Sequence, residues 1–237
     1  MHQLTIEKRD LPYEIDEEIK TLRTNLLLCG DDKRIVMITS CLGSEGKSST
    51  AWELARSLSD LGRRVFLVDA DLRRSVFNQR VVLGTIQQGL THYLAGQSSL
   101  EDAMYNCEGT RITVMPAGTA PPNPSELLAG ERMTRLLQES RKAFDYVLVD
   151  CAPLGMVVDA SVVAPHCDGS LLLIESGVIS YRFAQEVMSK LRNAHCPVLG
   201  VVLNKVDRTK SKYYGHYGKY GKYGKYGQNR YENYYKK

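Results

Sequence analysis

The sequence predicts an α/β fold, a doubly wound and mostly parallel sheet flanked by helices, on three observations. Short β-branched apolar runs recur along the chain, and longer helical patterns separate them. The runs are continuously apolar rather than alternating, which suits strands covered on both faces. A chain of 237 residues can also bury one substantial core with an appendage.

The elements follow in order. The opening segment is charged and helical in pattern, and from Tyr13 to Leu28 the residues Ile15, Ile19, Leu22 and Leu26 outline one amphipathic face. Strands are expected at Ile35–Thr39, Val65–Val68, Ile112–Met115, Tyr146–Val149, Ser170–Ile174 and Val198–Leu203. Helices are expected at Ser48–Leu61, Glu131–Ala143 and Arg182–Ala194. Pro116–Pro124 holds four prolines and reads as an irregular loop.

After Asp207 the composition changes. Tyr-Gly-Lys repeats with a period of three, and no aliphatic residue follows Val206. The chain therefore divides into a domain, 1–207, and a tail, 208–237, with too little aliphatic surface to fold alone and expected to be disordered. The tail's nine Lys or Arg against one acid, Glu232, give it +8 of the formal +4, so 1–207 carries −4. Six cysteines without zinc spacing read as reduced, buried thiols, with Cys41 and Cys151 set apart only by lying beside the motifs below. No signal peptide or apolar run of spanning length is read, so membrane association would need a partner.

The run Ile35 to Thr50 contains Cys41-Leu-Gly43-Ser44-Glu45-Gly46-Lys47-Ser48-Ser49 between an expected strand and an expected helix. That is the context of a phosphate-binding loop, whose backbone N–H groups and helix N-terminus cradle an anion. Lys47 would reach the β- and γ-phosphates of ATP, and the Ser48 hydroxyl would face Mg²⁺. The strict pattern has glycine where this chain has Cys41. Two further strands end in acids, at Asp69-Ala-Asp71-Leu-Arg73-Arg74 and at Asp150-Cys-Ala-Pro153. Ligands of open parallel sheets bind at those strand ends, and three converging carboxylates call for a cation.

These motifs together resemble the bacterial tyrosine kinases of capsule and exopolysaccharide synthesis, a deviant branch of the P-loop NTPases akin to the partitioning ATPases. Asp69-Ala-Asp71-Leu-Arg73 is similar to that family's extra acidic motif, and Asp150-Cys-Ala-Pro resembles its second Walker motif, which more often reads Asp-Thr-Pro-Pro. The partitioning ATPases carry a signature lysine where this chain has Leu42. Asn204, at the end of Gly200-Val-Val-Leu-Asn204, resembles the adenine-contacting position; a polar strand terminus is the alternative. Glu17, Lys20 and Arg23 resemble a Glu-x-x-Arg-x-x-Arg motif in an oligomerisation helix, about 14–28, that contacts the next subunit of a ring. A solvated helix face is the alternative there.

The resemblance implies an ATP-dependent protein-tyrosine autokinase. Its acceptors would be Tyr213, Tyr214, Tyr217, Tyr220, Tyr223, Tyr226, Tyr231, Tyr234 and Tyr235, nine of the chain's fourteen tyrosines. A tyrosine hydroxyl, with a pKa of about 10, needs a carboxylate to take its proton. Asp69 or Asp71 would serve as base, while the other, with Asp150, would orient Mg²⁺ through water. The split form of the family further implies a membrane-anchored activator, a cognate phosphatase and a cytoplasmic protein recruited to the inner face of the membrane. No nucleic acid is expected. A nucleic-acid-associated or partitioning ATPase with a basic aromatic tail is the rival reading, and a module that holds ATP without transferring phosphate is another.

Overall fold

The computed structural model describes residues 2–7 and 10–207; the tail 208–237, with all nine expected acceptor tyrosines and its expected disorder, lies outside the described residues. In chain order the elements are β1 (His2–Ile6), α1 (Tyr13–Leu28), β2 (Ile35–Ser40), α2 (Lys47–Asp60), β3 (Val65–Ala70), β4 (Val81–Leu83), α3 (Leu90–Leu94) and β5 (Tyr105–Cys107). They continue with β6 (Ile112–Met115), α4 (Pro124–Ala129), α5 (Glu131–Ala143), β7 (Tyr146–Cys151), α6 (Asp159–Val163), β8 (Gly169–Glu175), α7 (Tyr181–Asn193) and β9 (Val198–Asn204). One nine-stranded sheet orders them β4-β1-β5-β6-β3-β7-β2-β8-β9. The pairs β1–β4 and β5–β6 are antiparallel and the others parallel.

The central strands β2, β3 and β7 are buried at every position, as continuous apolar runs require. Two cores cover the faces. One packs Phe66, Val68, Val149 and Leu172 against Leu136 and Val187; the other packs Val36, Ile38, Leu67 and Leu148 against Trp52, Leu54 and Leu58 of α2. Pro124 opens α4, where its missing N–H costs nothing, so the proline loop ends in a helix.

Two expectations need correction. The opening segment is not wholly helical, because His2–Ile6 is a strand, held parallel to β5 and antiparallel to β4. The amphipathic face of α1 is also only half used: Leu26 is buried and Leu22 packs against the core, while Ile15 stands 49% exposed. Among the described residues, no helix is long and apolar enough to cross a membrane.

Candidate active site

The loop between β2 and α2 alternates backbone handedness. Ser44 (φ 64°) and Gly46 (φ 95°) both adopt left-handed conformations, which turn successive N–H groups into a concave anion nest. Gly46 precedes α2, whose first-turn N–H groups have no partner within the helix. A side chain at Gly46 would collide with the Asn204 amide, so glycine is required there twice over.

Bonds from beneath hold this loop. Glu45 is 1% exposed, and its carboxylate accepts the N–H groups of Leu42 (2.6 Å) and Glu175 (2.9 Å). Its side chain is therefore a strut between the loop and β8, and the phosphate contact expected of Glu45 rests on its backbone N–H, as in the rest of the loop. The Asn204 amide donates to the Glu45 carbonyl at 2.8 Å, bracing the loop from β9. Cys41 is buried where the strict pattern has glycine, and burial pushes its thiol up to about 11. Burial raises the Cys151 thiol as well, so both cysteines behave as small hydrophobes.

The acids converge under the loop because β3 and β7 pair in parallel with Asp69 opposite Asp150. Asp69, Asp71 and Asp150 are 5%, 5% and 4% exposed, with one lysine among them: Lys47 Nζ lies 3.8 Å from Asp71 Oδ2. Burial, then the charge of Asp150, pushes Asp69 up to about 8; burial also raises Asp150 to about 6 against the pull of Lys47. Asp69 accepts bonds from the Ser75 hydroxyl (2.5 Å) and the Asp71 N–H (3.2 Å). Asp150 takes a bond from the Ser48 hydroxyl, while its Oδ1 is buried without a partner. An orphaned carboxylate oxygen beside a hydroxyl and excess negative charge fits a hard divalent cation. Among the described residues, no three His, Cys, Asp or Glu side chains come close enough to hold a metal directly. The donor set therefore suits Mg²⁺, which keeps most of its waters and takes its other ligands from phosphates.

A cavity of about 500 Å³ opens above this floor. Gly43, Ser44, Gly46, Lys47, Ser48 and Ser49 line it with Asp71, whereas Asp69 and Asp150 lie below its surface and Asn204 behind the loop. Sequence reasoning missed several neighbours. Ser75 holds Asp69, and Arg80 donates to the Ser49 hydroxyl at 2.8 Å. Arg73 and Arg74 line the mouth. The Arg73 guanidinium forks onto Asp159, Nε to Oδ2 at 2.7 Å and Nη2 to Oδ1 at 3.0 Å, and the Ser125 hydroxyl adds a third bond at 2.6 Å. Burial would raise Asp159, but that fork and hydroxyl outweigh it and hold the carboxyl below its ordinary range. The run Asp-Leu-Arg-Arg-Ser from Asp71 to Ser75 was the available signal, since a turn after a strand returns its polar residues to the strand end.

The three α1 residues separate. Lys20 pairs along its own helix with Asp16 and Glu17, each at 2.8 Å, whereas Arg23 turns onto α2 and donates to the Ser57 carbonyl and hydroxyl at 3.1 Å. Arg23 thus ties α1 to α2, with its Nε buried without a partner.

Comparison with known proteins agrees with this geometry. A family model described as an AAA domain matches residues 33–193. The tyrosine-protein kinase CpsD of Streptococcus agalactiae is 37% identical over 204 residues, covering 85% of this chain and 89% of that one. The succinoglycan biosynthesis transport protein ExoP of Rhizobium meliloti is 35% identical over 196 residues, 81% of this chain but 25% of that longer protein. Among solved structures, the kinase domain of the Escherichia coli tyrosine kinase ETK superposes with a TM-score of 0.78 at 30% identity, covering 87% of this chain and 84% of that domain. A phosphate loop over a buried acid floor, carried on a chain this close to named tyrosine kinases, places the protein among the AAA-domain nucleotide-binding proteins and, within them, in the family of bacterial tyrosine-protein kinases.

Proposed function

We propose that this kinase transfers the γ-phosphate of ATP to the tyrosines of its own kind of tail, Tyr213 to Tyr235, on a neighbouring copy within a ring, and so regulates capsular or exopolysaccharide synthesis and export. The observation that carries the transfer chemistry is Asp71, a carboxylate that lines the phosphate cavity 3.8 Å from Lys47. The loop nest and Lys47 hold the phosphates. Asp71 then accepts the tyrosine proton as the phenolic oxygen bonds to the γ-phosphorus and the bond to the β,γ-bridging oxygen breaks, releasing ADP. Geometry favours Asp71 over Asp69 for this role, because both Asp69 oxygens already accept hydrogen bonds below the cavity surface. Ser48, with Asp69 and Asp150 through water, would hold Mg²⁺, which when bound neutralises charge on the β- and γ-phosphates. Asn204 keeps its carbonyl oxygen for the adenine edge while its amide braces the loop.

The charge split supports the choice of acceptor. A tail of +8 is drawn to a domain of −4, and each phosphotyrosine adds about −1.5 to −2, so accumulating phosphate reverses the attraction and expels the tail. Glu17, Lys20 and Arg23 on α1 are the candidates for the ring contact. A membrane-anchored activator would recruit the kinase to the inner face of the membrane, and a phosphatase would reset it. The polysaccharide pathway is supported by the name of the longer relative ExoP.

The test incubates the whole chain, with its activator, in ATP·Mg²⁺ and maps modified residues by mass spectrometry. Phosphotyrosine confined to 213–235 and absent in Lys47→Met is expected. An unchanged signal in Lys47→Met sinks the reading.

A further inference from the structure

The two ends of the phosphate loop are built differently. At Gly46 the Asn204 amide occupies the space where a side chain would stand, so β9 closes that end. At Gly43 the group nearest the vacant Cβ position is the Met156 thioether sulfur, 4.0 Å away. Met156 is held there by a close approach: Gly155 abuts the Cys41 carbonyl, and no side chain fits between them. With the base expected at the Asn204 end, the Gly43 end is where the terminal phosphate meets its acceptor.

Met156 at that end is one of three larger apolar side chains that line the cavity. Met156 is 61% exposed and Val76 is 41% exposed, and both line, with Val157, the same cavity as Lys47 and Asp71. Exposed apolar groups gathered at the mouth of a charged cavity call for an apolar partner. The chain supplies one of matching form. A phenol carries an apolar ring and one hydroxyl, and glycine follows Tyr217, Tyr220, Tyr223 and Tyr226, leaving no side chain beside the ring to meet the opposite wall.

We infer that Val76, Met156 and Val157 form the acceptor subsite, gripping the ring of a Tyr-Gly-Lys tyrosine from a second copy's tail so that its hydroxyl is delivered to Asp71. This inference rests on the tyrosine-transfer reading of the same cavity and adds what selects the amino acid. Thioether–ring contact supplies the grip. A serine or threonine hydroxyl would reach the same carboxylate but leave the wall uncovered.

The test uses the whole chain and a soluble Lys-Tyr-Gly-Lys-Tyr-Gly-Lys peptide, with a fluorescein-labelled Phe-for-Tyr version as a binding probe that needs no turnover. Met156→Ala and Val76→Ala should each raise the peptide KM about fivefold and weaken the Phe probe by the same factor. The KM for ATP should stay within about twofold, as a wall that contacts only the acceptor requires. Val158→Ala, an exposed neighbour outside the cavity lining, should change neither. An unchanged peptide KM with an unchanged Phe-probe affinity overturns the subsite while tyrosine transfer stands. A parallel loss of ATP affinity gives the wall to the nucleotide and overturns the subsite too. A wild-type chain that, with its activator present, transfers no phosphate to tyrosine overturns the kinase reading beneath it.

Discussion

Two groups of buried carboxylates support one site and are wired in opposite ways. Asp159 is fully buried, yet a guanidinium fork and a hydroxyl satisfy it, and its proton is held below the ordinary range. Asp69 and Asp150 face each other across paired strands, an oxygen of Asp150 has no partner, and burial lifts the proton affinity of both. Glu45 belongs with Asp159, since two backbone N–H groups saturate it. Buried charge that is fully paired serves the scaffold, whereas buried charge left short of partners marks where a cation and phosphates complete the site. Only three residues separate Asp69 from Arg73, so one short turn feeds both groups.

The largest effect that could break this contrast is catalytic. Asp71→Asn keeps the size of the side chain and removes its capacity to take a proton, so tyrosine phosphorylation should fall about a hundredfold to ten-thousandfold while thermal stability holds or rises. Quantified phosphotyrosine beside a melting curve decides it; a large fall in melting temperature would move Asp71 to the scaffold group. Glu45→Gln should do the reverse. It sets an amide N–H against one of two buried N–H donors and should cost about 2–3 kcal/mol, read as a lower urea midpoint. Unchanged stability there would remove Glu45 from the scaffold.

A smaller effect has a sign of its own. Asp69 holds its proton up to about 8 in the fold against an ordinary value near 3.8. Its contribution is fully present below about pH 4 and is lost as pH rises toward 8, with a slope of at most about 1.4 kcal/mol per unit. Melting of the metal-free chain should therefore weaken from pH 5 to 8, Asp69→Asn should flatten that slope, and Mg²⁺ with nucleotide should flatten it in the wild type. An equal slope in Asp69→Asn would clear this acid of the effect.

How much of this could be read from the chain follows from where each signal sits. The central strands were legible because burial on both faces leaves continuous runs such as Val65–Val68, and the acids ending them inherit their place from the strand. β1, β4 and β5 were not, since strands of three to five residues are too short to give a period to count. Lys47, Ser48, Asp71 and Asp150 could be singled out as candidates because a motif is a spacing along the chain. Glu45 was placed with the phosphates by that same spacing, which cannot say which way a side chain turns. The bond from Arg23 to Ser57 was hidden likewise, for that partner lies on another helix. Ser125 and Asp159 share no motif with Arg73, and only folding brings the three together.

That clamp gives the smallest effect and the sharpest sign. Because the carboxyl of Asp159 is held below its ordinary range, its contribution is present above about pH 4 and lost as pH falls. Arg73→Lys replaces the planar fork with a single ammonium. Since Arg73 is partly exposed, the cost at pH 7 should be about 1 kcal/mol, and it should be smaller at pH 3, since acid favours the protonated carboxyl, which needs no fork. Urea midpoints of both chains at the two pH values test this, and an equal loss at each would mean that Arg73 works through packing. The opposite pH signs of Asp69 and Asp159 then become separable in one protein: acid weakens the paired carboxylate, and base weakens the crowded one until a cation arrives.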